Sequence, residues 1–287
     1  MQKILIIGST GYIGRNLKKY FDYIGISYVC LDRNTFNQNS FDLTQPSTFT
    51  NVLTAIEENY IQTILDLTAS GVSPRTITDR QMLKINSVNI PGFYEYLKNN
   101  LNRSINLYRT ESILSYMNKN GVHESAYAKS KYLSRVKIEK LLSNSLINYR
   151  QLVLHNIYGL DQPQSRFISS IFASGYGGGG VEIRNPLRAR DFTYISDVCK
   201  SLSEIVNQNQ LSDCIEIGTG VATSIIEIVD VIQDIMKTKI NVKINDDIGI
   251  DNFRSVCAGE SKMELYRCQT VVAVGLEKTY RYLENLR

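Results

Sequence analysis

Tyr127 and Lys131 stand four residues apart in the run Tyr127-Ala128-Lys129-Ser130-Lys131, a spacing that puts both on one face of a helix. A phenol with a pKa of about 10 is a poor acid or base near neutrality. An ammonium beside it stabilises the phenolate and lowers that value. The pair can then exchange a proton with a carbonyl or alcohol oxygen while hydride moves at the attached carbon. The same spacing also suits a plain surface pair, so the reading depends on what precedes it in the chain.

What precedes it is Gly8-Ser9-Thr10-Gly11-Tyr12-Ile13-Gly14, directly after the apolar run Lys3-Ile4-Leu5-Ile6-Ile7. Glycines permit a tight strand-to-helix turn and let backbone approach a pyrophosphate. The helix N-terminus behind them offers N–H donors and the positive end of its dipole. A purely structural turn is the competing reading. Strand before, helix after and closeness to the N-terminus favour dinucleotide binding, with Gly8, Thr10, Gly11, Tyr12, Ile13 and Gly14 at the cofactor. Asp32, about 18 residues beyond Gly14, sits where a carboxylate accepts from the adenosine ribose and favours NAD. Its neighbour Arg33 suits the 2′-phosphate of NADP, so both cofactors stay open.

The pattern around these residues supplies elements able to hold them. Short apolar runs at 3–7, 28–31, 63–67, 105–108 and 150–154 read as strands. Helical spacing spans 11–23, 47–59, 81–99 and 126–143. In the first of these helices Ile13, Leu17, Tyr20 and Phe21 share a face. This alternation predicts βαβ units and an α/β, doubly wound parallel sheet. After about residue 160 the pattern loosens. Gly175, Gly177, Gly178, Gly179 and Gly180 mark a turn or mobile loop around Tyr176. Strands at 191–195, 214–217 and 240–244 and helices at 196–207 and 224–238 are expected there, in a smaller lobe. Ser224 and Glu227 form a capping box.

Composition closes off other classes. The 287 residues are 43% hydrophobic and 21% charged, and the formal net charge is +4 with no basic block. That argues for a soluble globular protein and against a nucleic-acid binder. Five widely spaced cysteines without a CxxC argue against a zinc site and a disulfide framework. No metal is expected, no apolar run reaches bilayer length, and a cytoplasmic location is expected.

Together these residues resemble the extended short-chain dehydrogenase/reductase family, the nucleotide-sugar epimerases, dehydratases and ketoreductases. The likeness covers nearly the whole chain. The Gly8/Gly11/Gly14 turn and the Tyr127/Lys131 pair match its two signatures, which implies a Rossmann fold. Phe41-Asp42-Leu43-Thr44 is similar to its acidic adenine-contacting turn, which implies cofactor roles for Asp42 and Leu43. Leu67-Thr68-Ala69-Ser70 matches its cofactor-lining segment, with Ser70 toward the substrate, and Asn86 matches its structural helix asparagine. Leu154-His155-Asn156-Ile157-Tyr158-Gly159 resembles its Asn-x-Tyr-Gly motif. That implies Leu154 and His155 at the nicotinamide, with Asn156 on the substrate. The stretch from Arg190 to Val198 matches its Arg-Asp-Phe-x-Tyr-Val-x-Asp-Val signature. Ile217-Gly218-Thr219-Gly220 and Thr223-Ser224 echo a further turn. Arg190 matches the pyrophosphate-contacting arginine, and Arg254 is a second candidate. The resemblance implies a NAD(P)-binding Rossmann domain over 1–160. Residues 161–287 would be mainly a nucleotide-sugar lobe, with segments returning to the first domain. A homodimer is common in the family.

The family's third catalytic group is a hydroxyl at the end of the strand before Tyr127. Ser112 fits, with Tyr116 four residues on, and Thr110 is the alternative. Fifteen residues separate Ser112 from Tyr127, fewer than in many relatives. Where 4,6-dehydratases carry Asp-Glu, this chain has Ile113-Leu114, which cannot transfer protons. Epimerase-reductases use an added Cys and His. Here no cysteine lies between Cys30 and Cys199, and His123 reads as a solvated loop residue. Hydride chemistry at C4 remains. The short loop is similar to that of the CDP-linked abequose and paratose synthases. This favours a 4-ketoreductase acting on a nucleotide-diphosphate deoxysugar, with NADPH favoured. A NAD-dependent 4-epimerase is the alternative, and a non-catalytic dinucleotide sensor is the reading from another class.

Overall fold

The computed structural model describes residues 3–33, 40–71, 77–119, 122–123, 125–177, 179–208, 211–245, 255–261 and 263–287. In chain order the first elements are β1 (Ile4–Ile7), α1 (Tyr12–Ile24), β2 (Tyr28–Leu31), α2 (Phe49–Glu58) and β3 (Thr63–Asp66). After them come α3 (Asp79–Lys84), α4 (Ile90–Asn100), β4 (Ile105–Ser112), β5 (Asn118–Lys119), β6 (Val122–His123), α5 (Ala126–Leu142) and β7 (Ile147–Leu154). The chain continues through β8 (Asn156–Tyr158), α6 (Phe167–Gly175), β9 (Val181–Arg184), β10 (Ala189–Tyr194), α7 (Ile195–Val206), β11 (Cys214–Gly218) and β12 (Ala222–Ser224). It ends with α8 (Ile225–Met236), β13 (Val242–Asn245), β14 (Ser255–Val256), β15 (Glu264–Arg267) and α9 (Val272–Asn285).

Seven strands form one sheet in the order β15-β11-β7-β4-β3-β1-β2. The pairs β1/β2, β1/β3 and β3/β4 are parallel. This is the Rossmann-type α/β architecture expected from the alternation of strand and helix. β1 lies between β2 and β3, so the winding direction reverses beside it. Ligands of open α/β sheets bind at such a switch point, beyond the carboxyl ends of the strands. The four residues of β1 are all buried, and full burial of one such side chain contributes roughly 1.5–3 kcal/mol.

The chain forms two compact units, Met1–Val153 with Leu202–Ile215, and Leu154–Ser201 with Glu216–Arg287. In the first, Phe41, Phe49 and Phe93 pack ring on ring at 4.7 to 5.9 Å within the core under the sheet. In the second, Ile168, Phe172, Phe192, Ile228, Ile232 and Leu276 share a separate core. Strands β12, β10 and β14 form a small sheet there, with β8 also paired to β10. The expected capping box at Ser224 and Glu227 is present at the start of α8. Among the described residues no helix is long and apolar enough to cross a membrane.

The helix expected over 81–99 differs from the reading in one respect: a π-helical turn, Ile85–Asn89, joins α3 to α4. Pro91 carries no N–H, so the carbonyl of Ser87 lacks its helical donor. Lys137 of α5 supplies one instead, with Nζ 2.8 Å from the Ser87 oxygen. The π turn also carries Asn86, whose side chain accepts from Ser70 N at 3.0 Å and donates to Ser70 O at 2.9 Å. Asn86 Nδ2 further donates to Ser130 Oγ at 2.9 Å. One buried amide thus ties the segment after β3 to the helix that carries Tyr127.

Candidate active site

The glycine turn leaves β1 at its carboxyl end. Gly8 has φ +84°, and a Cβ there would stand 3.1 Å from Leu67 C and 3.2 Å from Thr68 N. Close approach of two backbones is what glycine allows. Leu67 N donates to Ile7 O at 2.9 Å, so the Leu67–Thr68 segment is fixed against the turn. A Cβ on Gly14 would lie 2.5 Å from Gly8 O and 2.6 Å from Ser9 Cα, both backbone atoms. Gly14→Ala should therefore force the turn open. The expected result is at least a tenfold weaker NAD(P)H dissociation constant by isothermal titration, with a lowered melting temperature. No side chain caps α1 at Gly11, and its first turn holds no acidic residue, which suits an incoming anion. Thr10 is exposed, and Tyr12 and Ile13 are half-buried in that first turn.

Ser9, which the sequence reading passed over, is buried and donates from Oγ to Asp32 Oδ2 at 2.7 Å. It holds the Asp32 carboxylate beside the turn, while Arg33 is exposed. Asp42 is engaged locally: its Oδ1 accepts from Thr44 N and Thr44 Oγ1, both at 2.8 Å. Leu43 packs against the hydrophobic core of the first unit. Thr68 N donates to Asp66 Oδ1 at 2.7 Å, and Ala69 is exposed.

At the end of β4 the two candidate hydroxyls differ. Thr110 is buried and donates from Oγ1 to Asp66 O at 3.3 Å. Ser112 is half-buried, and its Oγ accepts from Leu114 N at 3.3 Å, capping a short 3₁₀ turn. Tyr116 is held by Gln151 and by the Arg135 guanidinium, 4.0 Å above its ring. Burial pushes its hydroxyl well above the ordinary phenol range.

Helix α5 is capped by Ser125, whose side chain accepts from Ala128 N. Such a cap contributes about 1 kcal/mol and fixes the frame of Tyr127, half-buried in the first turn, and of Lys131, buried one turn on. Lys131 Nζ lies 3.2 Å from Thr110 O and 2.9 Å from Glu111 Oε2. Burial, reinforced by the nearby Arg109 charge and opposed by Glu111, pushes its ammonium down to about 8. The sequence reading missed the group that receives it. Arg109 and Glu111 share one face of β4, as alternate strand residues must. Arg109 Nη1 reaches Asp66 Oδ2 at 2.5 Å and its Nε reaches Glu111 Oε1 at 2.8 Å. Tyr94 donates to the same Asp66 oxygen.

In the second unit Leu154 and His155 are buried and Asn156 is exposed on β8. His155 Nε2 lies 2.8 Å from Glu216 Oε1. Glu216 Oε2 accepts from Gly259 N and Ser261 Oγ, each at 2.9 Å. Burial opposes the Glu216 charge, yet these bonds together hold its carboxyl below the ordinary range. Arg190 is buried on β10, with Nη1 donating to Ala189 O at 2.8 Å. The two acids of its motif hold loops. Asp191 accepts from Thr219 N at 3.1 Å, Gly220 N at 2.8 Å and Ala258 N at 3.2 Å. Asp197 accepts from Gln269 N at 2.9 Å and Thr270 N at 2.7 Å. Arg254 lies outside the described residues, as does Gly178. His123, expected in a solvated loop, is half-buried in the β5–β6 hairpin with its ring 4.9 Å from that of Tyr132.

The first unit thus brings Gly8 against Leu67 and Thr68 at the switch point and Lys131 against the end of β4. Leu154, His155, Asn156 and Arg190 belong to the second unit. Residues 4–218 match the NAD dependent epimerase/dehydratase family model. The chain is 24% identical over 273 residues to the ADP-L-glycero-D-manno-heptose-6-epimerase of Brachyspira hyodysenteriae, a match covering 82% of this chain and 81% of that protein. Among solved structures, the dTDP-glucose 4,6-dehydratase of Bacillus anthracis in complex with NAD superposes with a TM-score of 0.78 at 16% identity, covering 99% of this chain and 97% of that one. The UDP-glucose 4-epimerase of Thermotoga maritima with UDP-glucose gives 0.78 at 15% identity, covering 99% of each chain. At these identities the two structures share the fold.

Proposed function

The chain belongs to the NAD dependent epimerase/dehydratase family, and from that premise we propose that it is an NAD(P)H-dependent enzyme that reduces the C4 keto group of a nucleotide-diphosphate deoxysugar. The observation that carries this reading is the seat of Lys131. Helix α5 sets its ammonium at the end of β4, two residues from Ser112 and one helical turn from Tyr127.

A dinucleotide fits the glycine turn because Gly14 leaves no room for a Cβ, Gly8 holds a positive φ with Leu67 and Thr68 close behind it, and the helix behind the turn is uncapped by any side chain. Gly8, Thr10, Gly11, Tyr12, Ile13 and Gly14 would hold the pyrophosphate side, and Asp32 would meet the adenosine ribose, with Arg33 beside it. Asp42, Leu43, Leu67, Thr68, Ala69, Leu154 and His155 would complete the cofactor's surroundings. Bound there, NAD(P)H supplies the hydride. Ser112 donates a hydrogen bond to the sugar oxygen and holds it for proton transfer. Tyr127 gives that oxygen its proton, and the Lys131 charge stabilises the phenolate left behind. Ser70, Asn156, Arg190 and Arg254 are assigned to the nucleotide sugar, the arginines because a guanidinium fork matches phosphate oxygens.

The names of two similar proteins, a 6-epimerase and a 4-epimerase, favour a second reading, NAD-dependent 4-epimerisation. The same Tyr127 and Lys131 would serve it, taking the proton before returning it. Cofactor stoichiometry separates the two. A reductase consumes one NAD(P)H per product. An epimerase purifies with bound NAD⁺ and consumes none. A thermal-shift screen of CDP, dTDP, GDP and UDP with NADPH should single out one base. A protein that takes up no pyridine nucleotide overturns both readings.

A further inference from the structure

We propose that Glu111 is a positioning residue for Lys131: its carboxylate bridges the buried Arg109 guanidinium and the Lys131 ammonium, keeping that ammonium charged and fixed at the end of β4. This rests on the reading of Lys131 as the partner of Tyr127. Two of the four charged groups, Asp66 and Arg109, are engaged with each other and with further partners. Asp66 accepts from Arg109 and Tyr94, and Arg109 spans Asp66 and Glu111. Glu111 gives one oxygen, Oε1, to Arg109 at 2.8 Å, and its other, Oε2, stands 2.9 Å from Lys131 Nζ. The side chains of Arg109, Glu111 and Lys131 are all buried, and so is Asp66.

The groups facing Lys131 come from every neighbouring element. Those acting on it directly are Asp66 of β3 and Arg109, Glu111 and the Thr110 carbonyl of β4. Tyr94 of α4 and Tyr149 of β7 act on Asp66 and Arg109 behind them, and Tyr127 stands one turn away on its own helix. Burial and the Arg109 charge both work against a protonated Lys131, and the Glu111 carboxylate works for it. With its value near 8, the ammonium keeps only about a tenfold margin over the neutral amine at pH 7. Removing the Glu111 charge leaves Lys131 beside Arg109 with its nearest anion gone. It should then lose its proton below neutrality, and its hold on the Tyr127 phenolate with it.

The test compares Glu111→Gln, Glu111→Asp and the wild type by kcat/KM against pH. The alkaline limb, set by loss of the ammonium, should move down by one unit or more in Glu111→Gln. Glu111→Asp, which keeps the charge, should restore most of it. A limb unmoved in Glu111→Gln overturns the proposal and leaves Glu111 a scaffold for Arg109. A second readout needs no turnover. A lysine held below its unfolded value of about 10.4 binds fewer protons folded than unfolded, so stability rises with pH from about 8 to about 10.4. Melting temperature against pH should show that rise in the wild type and lose it in Lys131→Met. In Glu111→Gln it should begin at lower pH. If Glu111→Gln does not fold, Glu111→Asp carries both measurements, with the alkaline limb and the melting-temperature rise both displaced slightly downward by the longer gap to Lys131. A wild type that exchanges no hydride with any nucleotide sugar defeats the functional reading alone. The melting series still decides the Glu111–Lys131 link, and identical profiles across it overturn the link.

Discussion

Tyr127→Phe should lower kcat for hydride exchange by about 10²–10⁴-fold, the usual contribution of a positioned proton donor, while NAD(P)H affinity stays within a few-fold. The variant removes one oxygen from a half-buried ring and leaves the cap at Ser125 and the Lys131 contacts in place. Single-turnover hydride transfer and isothermal titration read the two quantities separately. A variant that turns over like the wild type would mean the phenol is not the proton donor, and a wild type that binds NAD(P)H but never turns over would point to the sensor reading. A variant that loses cofactor binding would mean the phenol acts in assembly of the cofactor site.

The largest effect on stability should come from Arg109→Met. The side chain is fully buried and joins two carboxylates, Asp66 and Glu111. Methionine has comparable length, so the loss is chiefly of charge and hydrogen bonds. Breaking a buried pair by removing one partner costs about 3–5 kcal/mol, and here two anions lose their partner at once. The denaturation midpoint in urea should fall accordingly. Arg109→Lys should recover little, since an ammonium cannot span both carboxylates as the guanidinium fork does. An unchanged midpoint for Arg109→Met would mean that the network contributes no net stability.

The apolar strands and the glycine turn were legible because their chemistry is local. β1, β2 and β3 are short apolar runs, Gly14 sits where no Cβ fits, and Gly8 holds a positive φ that glycine favours. β4 was read to Tyr108 but continues to Ser112. Arg109 and Glu111 look like the end of a buried strand until Asp66 and Lys131, far away in sequence, are brought to them. The π turn was invisible for a similar reason: its cause at Pro91 is local, but its remedy, Lys137, comes from another helix. Helix α6 was hidden by the glycines that follow it. Helix α9 is preceded by Val271, which offers no side-chain cap to read. Within the site the pair Tyr127 and Lys131 was readable from spacing. Ser9 and Glu216 were not, because each gains its meaning from a partner, Asp32 or His155, that only folding supplies.

The Asp191 carboxylate has a bearing on how the protein is made. It gathers backbone N–H groups from Gly220, 29 residues on, and from Ala258, 67 residues on. Closing the longer loop costs little more chain entropy, about 0.6 kcal/mol per doubling of length, but it depends on residues made later. During synthesis the turn at Thr219 and Gly220 can reach this acid well before Ala258 does, so the clasp closes in two stages. Premature termination anywhere between those two positions would leave a nascent chain with only the first half of this clasp, a natural target for chaperones and proteases.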